Sequence, residues 1–72
     1  MERKEAVALI RELIRLNLAH PPFIDIEKNE RGTYNIVLKA NGDVNQIRAF
    51  LAKTGLVLLE DVEKGKCAIY RP

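Results

Sequence analysis

Residues 23–40 read FIDIEKNERGTYNIVLKA, and two features of that stretch decide the fold. Apolar and polar residues alternate on both sides of its centre: Ile24 and Ile26 against Asp25 and Glu27, then Tyr34, Ile36 and Leu38 against Thr33, Asn35 and Lys39. A period of two marks a strand with one buried face. Between the runs stand Asn29, Glu30, Arg31 and Gly32, which suit a type I turn closed by a glycine in the left-handed conformation. The stretch is therefore a β-hairpin, with strands over about 23–29 and 33–40.

On its N-terminal side, Val7, Ile10, Leu13, Ile14 and Leu18 form one stripe at helical spacing, joined by Ala6 and Leu9, with Lys4, Arg11, Glu12 and Arg15 opposite. That pattern predicts an amphipathic helix from about Arg3 to Ala19. His20, Pro21 and Pro22 stop it, because proline donates no hydrogen bond and restricts the residue before it. On the C-terminal side, Asp43 is placed to cap a helix and Gln46 to close a capping box. Val44, Ile47 and Leu51 follow at helical spacing, and Gly55 supplies a left-handed end. Leu56 to Val62 and Lys66 to Arg71 then form a second strand pair around Glu63, Lys64 and Gly65.

The chain resembles itself at an offset of 33 residues. Residues 14–39 align with 47–72 without a gap, and eight of the 26 pairs are identical, among them Gly32 with Gly65 and Ile36 with Ile69. Both turn glycines and both core alternations fall in register, which a chance match of apolar residues does not require. The expected fold is α+β, a single domain over 1–72 made of two αββ units, about 3–40 and 43–72. The order αββαββ lets the hairpins join into one four-stranded antiparallel sheet with two helices on one face, a two-layer sandwich consistent with an internal αββ duplication.

That sandwich assigns Ile24, Ile26, Tyr34, Ile36, Leu38, Val57, Leu59, Cys67 and Ile69 to the helix-facing side of the sheet. The other side is open, yet it retains Phe23, Val37, Leu56, Leu58 and Tyr70. An apolar patch on a small protein marks a contact, and a chain this short gains from additional buried area. These five residues are the candidate surface for a homodimer or a protein partner. Nucleic acid is the alternative partner, through Arg48 and Lys53 on the second helix, Lys64 and Lys66 at the second hairpin, and Tyr70 on the sheet.

Composition sets the remaining expectations. The 72 residues carry 12 basic and 10 acidic side chains, a net charge of +2 that is too small for a dedicated polybasic binder. There is no serine, so a serine nucleophile is excluded, and Cys67 and His20 are the only soft metal ligands, where a structural zinc site needs four. Neither a metal nor a cofactor is expected, and no catalytic residues are assigned. A Cys67–His20 dyad is weighed against a buried strand cysteine and a histidine at a helix end, and the second reading is preferred. The acidic residues Glu60, Asp61 and Glu63, with Glu27 and Glu30 at the related hairpin, read as solubilising charge. No run of apolar residues is long enough to span a membrane, and one thiol without a leader fits a reducing cytoplasm.

Four resemblances accompany these residues. Tyr70, Phe23, Lys39 and Lys66 resemble in outline the stacking platform of an RNA-recognition module, and the second helix with its hairpin resembles a recognition helix and wing. Each likeness is partial, since the aromatic signature run and the third helix are missing. The element order also resembles half of a homing-endonuclease domain, but residues 13–22 lack that family's helix motif, so its activity is not carried over. In size and composition, rich in Leu, Ile, Glu, Lys and Arg with a single glutamine, the chain is similar to small proteins of hyperthermophilic archaea. That likeness implies thermostability and names no functional family.

Overall fold

The computed structural model describes residues 1–39, 44–61 and 63–72. Helix α1 (Arg3–Arg15) leads through a short 3-10 turn (Pro21–Phe23) to strands β1 (Ile24–Lys28) and β2 (Tyr34–Lys39). Helix α2 (Val44–Leu51) and strands β3 (Val57–Asp61) and β4 (Lys66–Tyr70) follow. The strands form one antiparallel sheet in the order β1-β2-β4-β3. The more buried strands β2 and β4 are central, and β1 and β3 are the edges.

α1 ends four residues earlier than its apolar spacing suggests. Asn17 takes a left-handed φ of 60° and donates its N–H to the Ile14 carbonyl, while the Leu18 N–H reaches back to Leu13. This is a Schellman cap built on asparagine. The two prolines act later, where the Phe23 N–H closes the 3-10 turn on His20. α2 also stops short of residue 54, because the Thr54 hydroxyl and N–H both donate to the Leu51 carbonyl before Gly55 turns the chain at φ 76°. The cap expected of Asp43 lies outside the described residues.

The first hairpin turn is tied by one side chain. The Asn29 Nδ2 donates to Thr33 Oγ1 at 2.7 Å and to Asn35 Oδ1 at 3.1 Å, while its Oδ1 accepts the N–H groups of Arg31 and Thr33. Gly32 follows at φ 81°, a conformation that costs a side chain strain even with open space around it. Asn29→Ala removes this whole set of side-chain hydrogen bonds at a half-buried site and is expected to cost about 1–2 kcal/mol in urea unfolding.

Buried side chains of α1 (Ala6, Leu9, Leu13) and α2 (Ile47, Leu51) share one cluster with Ile36, Leu38, Leu56, Leu58, Cys67 and Ile69, so both helices cover the same face of the sheet. Ile36 and Ile69 are direct partners across β2 and β4, and neither exposes any surface. Met1 closes the end of this core. Its amine donates to the Tyr34 carbonyl and its carbonyl accepts the Tyr34 N–H, in the manner of a single bridge pair.

The expected register fails at β3. The first hairpin sets Ile24 opposite Leu38, and moving that pair by 33 residues sets Val57 opposite Arg71, but Val57 lies opposite Tyr70. Five residues separate the paired Lys28 and Tyr34, and four separate Asp61 and Lys66, so the shorter second turn slips the strand by one position. A slip of one exchanges the two faces. Leu56 and Leu58 point to the helices and are buried, whereas Val57 and Leu59 are on the open face, 37% and 62% exposed.

Candidate functional site

Two surfaces are built by this arrangement. The first is the open face of the sheet. The registers place Asp25, Val37, Ala68 and Leu59 in one row across the four strands, with Lys39, Lys66 and Asp61 in the row beside it. Val57 and Tyr70 are partners on the other side of that row. Val37 is buried although no helix covers it, because it stands in the middle of the sheet among its strand neighbours. Leu59 has no such protection on the edge strand and is the most exposed large hydrophobic residue among the described residues.

Of the five residues expected on this face, Val37 and Tyr70 are there. Leu56 and Leu58 belong to the core through the β3 slip, and their places are taken by Val57 and Leu59. The four consecutive apolar residues 56–59 contain no alternation to reveal which pair faces outward. Phe23, half exposed, stands in the 3-10 turn at the end of the sheet, against a groove.

That groove is the second surface, a cleft of about 440 Å³. Its walls come from the segment after α1 (Leu18, Ala19, His20), from Phe23, from the start of α2 (Val44, Ile47), and from the facing ends of the strands. Leu38 and Cys67 contribute from the core side, and Lys39, Glu60, Asp61, Gly65 and Lys66 complete the lining at the end of the strands. The structure thus brings the single cysteine and the single histidine to one cavity. Burial pushes the Cys67 thiol above its ordinary pKa, Glu60 adds to the rise, and Arg48 partly offsets it. A nucleophilic thiol requires the opposite shift.

The raised thiol pKa also predicts an alkaline loss of stability. Its neutral form is favoured in the folded state, so the contribution is complete below the unfolded-state pKa of about 8.5 and is lost as pH rises towards the folded value. Chemical unfolding of wild type and Cys67→Ala from pH 7 to 10 should therefore give a stability difference that shrinks as pH rises.

The five residues considered for nucleic acid do not share one surface. Arg48 and Lys53 belong to the helical layer, where Arg48 pairs with Glu60 at 3.6 Å, while Lys64 is in the second turn and Lys66 and Tyr70 are on the open face. The acidic residues are dispersed as well. The antiparallel pairing of β2 with β4 puts the two hairpin turns at opposite ends of the sheet, so Glu30 and Glu63 are far apart. Among the described residues, no group of three His, Cys, Asp or Glu side chains converges. No described helix is long and apolar enough to cross a membrane. No protein-family model, curated protein or solved structure matches the chain.

Proposed function

We propose that the protein is a self-associating interaction module in which the open face of one sheet packs on the same face of a second copy. The observation that carries this reading is Leu59, 62% exposed on an edge strand beside Val57, Ala68 and Val37. A second copy offers an equivalent apolar row. It also offers opposite charge, because the face holds Lys39 and Lys66 at one end and Asp25 and Glu27 along β1. Isologous pairing uses both at once.

The open face measures roughly 19 by 16 Å from strand spacing and rise. Two such faces cover about 600 Å² in plan, well under the standard interface of about 1,600 Å², so the association is weak and depends on concentration.

Amide chemical shifts followed from millimolar to micromolar protein test the proposal. Movements concentrated at Val37, Val57, Leu59 and Ala68 support it, and spectra independent of concentration refute it. Shifts at Arg48, Lys53, Lys64, Lys66 and Tyr70 upon adding a short oligonucleotide at low salt, with none on dilution, would instead favour the nucleic-acid reading.

A further inference from the structure

We infer that the exposed face of α1 binds the phosphate backbone of double-helical nucleic acid through Arg3, Lys4 and Arg11. These three cations line one shallow hollow with Val7 and Ala8, and its lining contains no acidic side chain. All three are exposed, and among the described residues none of them forms an ion pair. Two acids of the same helix are already engaged, Glu12 by Arg15 at 2.6 Å and Glu5 by Arg71.

The net charge of +2 is small, but its placement is uneven. Ion pairs also join Lys39 to Asp25 and Arg48 to Glu60. At the two hairpins the other charges balance, Lys28 and Arg31 against Glu27 and Glu30, and Lys64 and Lys66 against Asp61 and Glu63. Among the described residues, the remaining charged side chains are Arg3, Lys4, Arg11 and Lys53 against Glu2, so the positive surplus lies in the helical layer. The shape of this surface selects the partner. Lys4 and Arg11 are two helical turns apart, about 10 Å along the axis, too far for one small anion to meet both. A polyanion of closely spaced charges meets them together, and each neutralised phosphate releases counterions. The hollow has no aromatic side chain on which an unpaired base could stack, which favours a duplex over a single strand. The apolar side of α1 (Ala6, Leu9, Leu13) is in the core, so the helix cannot turn it into a bilayer.

Fluorescence anisotropy of a labelled DNA duplex of about 16 base pairs, titrated with protein between about 20 and 200 mM salt, tests the inference. The logarithm of the association constant should fall linearly with the logarithm of salt concentration, with a slope of about −2.7 for three phosphate contacts, or about fortyfold between 50 and 200 mM. Lys4→Gln/Arg11→Gln should reduce the slope to about −0.9 and weaken binding at the lowest salt by at least about tenfold. Lys64→Gln/Lys66→Gln removes the same charge from the second hairpin and should weaken binding by no more than about threefold. All four side chains are exposed, so both variants retain the fold, which melting curves verify. Absence of duplex binding at the lowest salt, whether or not phosphatidylserine vesicles are bound, would overturn the inference. So would equal weakening by the two double variants, or tighter binding to the single strand than to the duplex. α1 covers the side of the sheet opposite Leu59, so neither result depends on whether two copies associate.

Discussion

Ile36→Ala is expected to reduce the free energy of unfolding by roughly 3–5 kcal/mol, the upper part of the range for a large aliphatic side chain deleted from a core. Ile36 is fully buried on a central strand, opposite the equally buried Ile69, within the cluster that Leu13 and Leu51 complete from the two helices. Collapse around the cavity is restricted because the site is held by two strand neighbours and a helix layer. A domain of this length has a total stability of about 4–11 kcal/mol, so the variant loses a large fraction of it. Urea unfolding followed by circular dichroism should show a lower midpoint with an unchanged slope. Ile36→Val should cost only about 0.5–1.5 kcal/mol. A loss below 1 kcal/mol for the alanine variant would mean that the β2–β4 pairing does not form the centre of the core.

Adjacent residues in β3 should respond in opposite ways to the same substitution. Leu58→Glu places a carboxylate among Ile69 and the other helix-facing residues, removing apolar burial and leaving a charge without a partner. It is expected to cost at least about 4 kcal/mol, enough to leave the chain largely unfolded at neutral pH. Leu59→Glu, one position along, changes a mostly exposed side chain and should alter stability by no more than about 0.5 kcal/mol. Thermal melts of the two variants compare the registers directly. If Leu59→Glu proved the damaging change, β3 would have the phase implied by the 33-residue offset.

The sequence makes much of the architecture legible because its local signals agree. Alternation over 24–39, the helical stripe of Val7, Ile10 and Leu13, and the glycines at 32 and 65 each specify an element without help from tertiary contacts. The phase of β3 is not legible in this way. Residues 56–59 are all apolar, and the choice between faces depends on a turn one residue shorter than its counterpart. The end of α1 misleads for a related reason: Pro21 and Pro22 are the stronger local punctuation, but Asn17 can adopt the left-handed conformation and ends the helix first.

The surfaces depend on information of longer range. Lys39 and Lys66 become neighbours only when β2 pairs with β4, a strand order that no local pattern specifies. The groove draws on segments spread from Leu18 to Cys67. The open face was visible as a surplus of apolar residues, and correcting one register changes its members while preserving its character. Val57 and Leu59 now supply the exposed apolar surface that Leu56 and Leu58 were expected to supply.

Sedimentation equilibrium of wild type beside Leu59→Glu tests the central claim most directly. The wild-type weight-average mass should rise from the monomer value towards twice that value as concentration increases, and Leu59→Glu should remain at the monomer mass throughout. A wild-type protein that stays strictly monomeric at millimolar concentration, or a variant that associates as strongly as wild type, would contradict the account.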